Sequence, residues 1–442
     1  MAEIVPFIGL RYNEQKIPNL GAVVTPPYDI IDEAAQTRYY AEHPANIIRL
    51  ELGLTFLTDD EQKNRYSRAA EYLNRWIEED ILVYESQPAL YLYQQEFKAH
   101  GTSLVRNGFI CGLKVEDYSA GTVLPHEETL SKPKEDRLRL MRATRCNFSS
   151  IFGLYSDPSR TVDTALLKAV EDTPPEIEIY DEAGEIHRLW VITDEAVIRA
   201  VVEAMKDKQI FIADGHHRYE TALEFAREMK AQGYQGYDYV MITLVNLYDQ
   251  GLVILPTHRV VGNIPDFDLG ALRVKLEQYF EVHVFGSVEK LPLFLKAMEE
   301  MGKTRQVFGM YGQNRILYML TLKPEVDLSG ILPEERSDAW RQLGVAVLDN
   351  LVLDHLLGID AEKRKSQENL VYTKDASWAV ERIEKGTHQV AFFLNPTRVT
   401  EVVDVAQARD KMPQKATYFY PKLLTGLVIN PLERNAPAPP CD

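Results

Sequence analysis

Gln209-Ile210-Phe211-Ile212-Ala213 is a mostly apolar strand that runs straight through Asp214-Gly215 into a stretch carrying Tyr219, Ala222, Leu223 and Ala226 at helical spacing. A strand passing through one glycine into a helix leaves few fold classes open. Strand and helix patterns alternate along the rest of the chain, which predicts an α/β or α+β protein with mixed sheets. Residues 21–25 read as a strand stopped by Pro26-Pro27, and 60–79 as a helix burying Tyr66, Ala69, Ala70, Leu73 and Trp76. Strands follow at 89–97 and 104–115, then a hairpin over 177–193 turning at Ala183-Gly184 and a helix over 194–205. The helix after the turn spans 218–232, and 237–247 pairs with 252–260. A strand-helix-strand unit occupies 280–322, and helices at 345–357, 376–384 and 399–406 alternate with strands near Val371 and at 390–394.

A chain of 442 residues exceeds one ordinary core. We expect an N-terminal α/β region at 1–175, a central region at 176–265 carrying the turn, a C-terminal α/β region at 266–432 and a disordered tail at 433–442. The 66 acidic against 49 basic side chains give a net charge of −17, which repels a phosphate backbone and argues against general nucleic-acid binding. Cys111, Cys146 and Cys441 form no disulfide framework or zinc spacing and suit a reducing cytoplasm. No apolar run reaches the roughly 18 residues that span a bilayer, and the first residues lack the apolar core of a signal peptide. The expected location is therefore cytoplasmic.

The turn Asp214-Gly215-His216-His217-Arg218 has the chemistry of an anion seat. A helix start points its first N–H groups outward at the positive end of the helix dipole. Gly215 lets backbone approach an anion, His216 and His217 are donors tunable near neutral pH, and Arg218 offers a planar fork suited to phosphate. Asp214 is suited to holding a cation, capping the helix or accepting a proton.

Other polar groups punctuate the chain. His126-Glu127 follows Pro125 and can bind metal or shuttle a proton. Lys132, Lys134, Arg137 and Arg142 read either as a solvated face or as a mobile basic loop over phosphates. His258 and Arg259 stand where an apolar strand ends, a place that lines crevices in α/β sheets. Tyr28 and Asp29 follow the double proline, and Lys415 and Lys422 flank an alternating Tyr418/Tyr420 stretch with opposite parity. No phosphate loop, G-x-G-x-x-G, His-Glu-x-x-His or G-x-S-x-G is present.

The turn and its flanks, Ala213 to Thr221, resemble the signature of domain-of-unknown-function family 1015. Pro26-Pro27-Tyr28-Asp29, Pro125-His126-Glu127 with Thr129, Leu255 to Arg259, and Met412 to Lys415 through Pro421-Lys422 resemble further pieces of that family, in order. The turn alone also resembles ParB-like and sulfiredoxin-like nucleotide-binding domains, including free-serine kinases. That resemblance implies a nucleotide-binding core with additional α/β lobes. It also implies a turn that contacts nucleotide phosphates, and Mg²⁺ with ATP or another nucleotide. The reaction implied is phosphoryl transfer to a small hydroxyl compound, for example a free hydroxy amino acid such as serine. Such kinases use an N-terminal glutamate as base, for which Glu127 is the candidate here. The leading expectation is a phosphotransferase with Asp214, Glu127 and His126 as catalytic groups, and Asp214 and Glu127 as candidate metal ligands. A metal-dependent hydrolase built from His126, Glu127, Asp214, His216, His217 and His258 and a non-catalytic nucleotide-binding regulator are the alternatives.

Overall fold

The structure, a computed structural model, describes residues 2–99, 101–127 and 131–435, apart from the side chains of 131–133, 434 and 435. Glu128, Thr129, the Lys132 side chain and residues 436–442 lie outside the described residues. Two compact units emerge. One comprises Met1–Pro125, Thr129–Val253 and Pro421–Asp442, the other His126–Glu128 and Ile254–Tyr420.

The first unit is built on a mixed sheet of β1 (Ile4–Val5), β2 (Leu90–Ala99), β3 (Thr102–Lys114), β4 (Val123–Leu124), β5 (Ile151–Tyr155), β6 (Ile177–Tyr180), β7 (Ile186–Ile192), β8 (Ile210–Asp214) and β9 (Tyr239–Asn246). Its order is β4-β8-β5-β9-β3-β2-β7-β6, with β1 on β3. β8 runs parallel to β4 and antiparallel to β5. All of β9 after Tyr239 is buried, as befits a β-branched and apolar strand covered on both faces. The helices are α1 (Arg65–Glu78), α2 (Ser131–Thr144), α3 (Glu195–Met205) and α4 (His216–Ala231). Asn64 caps α1 by accepting from the Tyr66 and Ser67 N–H groups, and the helix buries Tyr66, Ala69, Leu73 and Trp76. Val201, Met205, Tyr219, Ala222 and Phe225 of α3 and α4 share a core with Leu92, Phe109, Ile151, Ile212 and Ile242. Each large side chain in it contributes about 1.5–3 kcal/mol on full burial. The chain's last described segment belongs to this unit too: Thr425 bridges Thr25, Ile429 bridges Leu10, and Asn430–Pro431 pairs with Cys146–Asn147.

The second unit holds an antiparallel sheet of β10 (His258–Val261), β11 (Phe280–Ser287), β12 (Val307–Gly312), β13 (Ile316–Leu322), β14 (Leu370–Thr373) and β15 (Val390–Leu394), in the order β11-β13-β12-β15-β10-β14. Its helices α5 (Leu291–Gly302), α6 (Ala376–Glu384) and α7 (Val399–Gln407) follow the expected periodicities. Phe294 and Met298, Ala379 and Ile383, Val260, Tyr311 and Phe393 form its core.

The mixed α/β class stands, and several local expectations change. The boundary expected at 175/176 falls inside the first sheet, which takes strands from both sides of it. The one at 265/266 cuts β10 from its partners β14 and β15. Residues 237–247 and 252–260 do not pair, because β9 has both edges taken by β3 and β5. The stretch at 21–25 is no strand: short helical turns occupy Leu20–Ala22 and Tyr28–Ile30, and Pro26 and Pro27 cannot extend the single bridge at Thr25. Residues 348–356 wind as a π-type turn rather than a plain helix. In the expected tail, 433–435 continue the helical turn Leu432–Asn435. No helix among the described residues is long and apolar enough to cross a membrane.

Candidate functional site

The register between β8 and β5 shifts between Ile212 and Asp214, an irregularity that re-aims the end of the strand. Gly215 then takes φ 93°, ψ 28°, a left-handed conformation that only glycine adopts cheaply, and α4 begins at His216, two residues before the expected start. A glycine at the cap position has no side chain to cover the helix end. Asp214, Gly215 and His217 are partly exposed, whereas His216 and Arg218 are 4% and 8% exposed. The corner is therefore open at its backbone and packed underneath.

Asp214 Oδ2 accepts from Lys422 Nζ at 3.2 Å and lies 3.7 Å from Arg218 NH2. Burial alone would raise its pKa. The charges of Lys422 and Arg218, the Lys422 hydrogen bond and His216 outweigh burial and hold the carboxyl well below the usual carboxylate range. A carboxylate so stabilised is a weak base, which favours the cation-holding role among those the sequence left open. It does not cap the helix. Lys422, 208 residues away in sequence, is thereby drawn into the corner.

Arg218 corrects an expectation. Its fork does not face outward. It lies beneath Gly215, where an added Cβ would sit 3.0 Å from the guanidinium Nε and NH2. Its NH1 donates to the Ser150 carbonyl at 2.5 Å, and its Nε has no hydrogen-bond partner among the described residues. The third residue of α4 points back to the sheet, so its charge acts from below. His217 is half-buried; burial lowers its pKa, with Lys134 and Arg218 adding to that and Glu220 and Asp29 opposing it.

Tyr28 underlies the same region. Arg137 lies 4.1 Å and Arg218 6.0 Å from its ring centre. Burial pushes its phenol up to about 12 despite those two cations. Asp29 beside it is exposed. The basic stretch after residue 131 is no mobile loop: it lies on α2, with Arg137 bound to Glu51 and Asp136, Lys134 to Glu220 and Arg142 to Glu228. Between α2 and α4 lies a cavity of about 30 Å³ lined by Glu51, Arg137, Ser149, Arg218 and Thr221. That is water-sized.

The remaining candidates His126, Glu127, His258, Arg259 and Lys415 belong to the second unit. His126 is 2% exposed, its Nε2 lies 3.2 Å from Thr417 Oγ1, and its ring meets Phe419 edge-on. Glu127 is half-buried on a bridge to Met412. His258 Nδ1 accepts from the Leu394 N–H at 3.3 Å, and burial, with Arg259 next to it, lowers its pKa to about 4. Arg259, 1% exposed, grips Asp349 through Nε and NH2 at 3.1 and 3.2 Å and donates to the Thr257 and Lys415 carbonyls. Both His258 and Arg259 are buried, and they begin an interior strand of the sheet rather than end one. The Lys415 side chain is exposed.

Expected metal ligands do not group within either unit. Among the described residues the group able to hold an ion is Asp181, Glu185 and His187, with ligand atoms within 4.8 Å of one another. His187 is already engaged, with Nδ1 2.7 Å from Tyr93 Oη and Nε2 3.4 Å from Asp181. Sequence reasoning missed Glu51, Gln95, Arg106 and Ser150. Arg106 alone left a trace, as a charge inside an apolar strand.

A family model described as "Protein of unknown function (DUF1015)" matches residues 4–349. No curated protein matches the chain. Among solved structures, the chain is similar to a conserved hypothetical protein from Pyrococcus furiosus, at 14% identity and TM-score 0.34 over 74% of this chain and 97% of that one. It is similar to a free serine kinase in complex with AMP, at 13% identity and TM-score 0.33 over 71% and 86%. SbnI with C-terminal truncation from Staphylococcus aureus follows at 10% and 0.33 over 74% and 88%. Likenesses this slight carry no residue-by-residue correspondence.

Proposed function

The chain belongs to the DUF1015 family, and from that premise we propose that it is a nucleotide-dependent phosphotransferase whose phosphate seat is the Asp214–Arg218 corner. One observation carries this reading. A helix start with a glycine cap and an open backbone face is backed by two cations, Lys422 and Arg218, in a protein of net charge −17. Positive charge gathered at a helix N-terminus against so acidic a field favours an anion. His217, half-buried on the first turn, stands beside that helix end.

Asp214 holds Lys422 in place and is ionised throughout the neutral range. Mg²⁺ would arrive with the nucleotide phosphates, neutralising their charge, with Asp214 as the carboxylate at hand. Positioning and charge stabilisation are what this corner supplies. The acceptor class in this reading is a small hydroxyl compound, free serine included.

Calorimetry with Mg·ATP and Mg·ADP tests the seat, and mass spectrometry of a hydroxyl-compound panel tests transfer. Binding of neither nucleotide sinks the reading. Binding without transfer to any acceptor replaces it with a nucleotide-binding regulator.

A further inference from the structure

Lys422 comes to Asp214 from a segment that returns to the first unit at Pro421, and its backbone is gripped there from below. Arg106 NH2 donates to the Pro421 carbonyl at 2.6 Å, and Gln95 Nε2 to the Lys422 carbonyl at 3.0 Å. Gln95 and Arg106 are register partners on β2 and β3, each 1% exposed, and Arg106 NH2 also donates to Gln95 Oε1. Tyr93, two residues before Gln95 and so on the same face, accepts from the Leu424 N–H at 3.3 Å, while its hydroxyl meets His187.

Burying a guanidinium is costly, and burial pulls that of Arg106 down to about 10. Its ring contact is Phe152, at 4.7 Å. Such a cation in the sheet needs a return, and what it grips is the backbone next to Lys422. A lysine has a flexible four-carbon stem, so holding its Cα is the way to hold its ammonium.

We propose that Arg106 and Gln95 are positioning residues: they clamp the Pro421–Lys422 backbone so that the Lys422 ammonium stands on Asp214, and through Lys422 alone they set the affinity of the corner for a nucleotide phosphate. The clamp stands on the contacts above, and only the affinity clause rests on the phosphotransferase reading.

Two measurements on the full chain separate these parts. The first is the acylation rate of Lys422 by an amine-reactive reagent, followed by mass spectrometry without ligand. The Lys422 side chain is 13% exposed, so the native rate is slow. Arg106→Met should raise it about tenfold, the factor set by losing ~1.4 kcal/mol of holding energy. Gln95→Leu should raise it by a smaller factor and serves if Arg106→Met does not fold. An unchanged rate in the folded variants overturns the clamp. The second is Mg·ATP affinity in a double-mutant cycle. Arg106→Met should weaken binding in the native chain and cause no further loss beside Lys422→Met. Full additivity overturns action through Lys422. Faster acylation in a chain that binds no nucleotide upholds the clamp and retires the nucleotide reading.

Discussion

Two of the strands that lead through a short turn into a helix, β8 in the first unit and β15 in the second, treat the helix start in opposite ways. In the first unit β8 passes through Gly215 into α4, with no side chain at the cap and Lys422 and Arg218 gathered at Asp214. In the second, β15 passes through Asn395 to Arg398 into α7, and Glu401 bends back to accept from the Arg398 N–H at 2.7 Å. Arg398 itself then donates to Glu401 at 2.8 Å. The second helix start thus carries its own anion, although it borders a larger cavity of about 410 Å³. The two starts thus differ in what stands at them: a carboxylate shared with two cations at α4, and a glutamate folded back onto its own helix at α7.

Four experiments break or sharpen this contrast, the largest effect first. Arg259→Met leaves Asp349 buried without its cation and should cost about 3–5 kcal/mol in urea unfolding, while Mg·ATP affinity stays native. A loss of affinity in the folded variant would show Arg259 to be more than a girder.

His258 gives the second unit a pH signature. Its folded pKa is lowered to about 4, so the folded state binds the proton less readily than the unfolded chain. Its contribution is present above the unfolded value near 6.5 and is lost as pH falls from there towards 4, roughly 3 kcal/mol in all. His258→Asn, which can keep an acceptor for the Leu394 N–H, should flatten that part of the stability–pH curve.

Gly215→Val places a β-branched residue at φ 93° and a Cβ against the Arg218 guanidinium. Mg·ATP binding should weaken at least about a hundredfold, or ~2.8 kcal/mol, with a melting loss that Arg259→Met exceeds. Glu401→Ala is the converse probe. Removing the internal anion should cost about 1 kcal/mol of stability. Inorganic phosphate should then shift the amide resonances of 399–401, which it leaves unmoved in the native chain.

The periodic elements were legible. Residues 376–384 and 390–394 fold over the expected ranges, and α1 buries four of its five expected apolar positions as core. The turn was legible as well, since glycine between an apolar strand and an amphipathic helix is a local instruction. Illegible were the pairings. His258 and Arg259 carry the residue types of a site and are buried in β10, on the Leu394 N–H and on Asp349. Arg218 looks like a phosphate fork and is folded under its own turn. The rim of polar residues around residue 126 reads as chemistry, yet His126 is a core histidine of the second unit.

By itself the chain determined where most strands and helices lie, because 2.0- and 3.6-residue periods are written in neighbouring residues. It also determined that position 215 tolerates a left-handed backbone. Tertiary structure alone decided that Lys422 meets Asp214 across 208 residues and that Arg106 and Gln95 grip the segment bringing it there. Such contacts depend on which strands become neighbours in a sheet. That is settled by the burial of whole faces and leaves no mark in the spacing of the residues that finally touch.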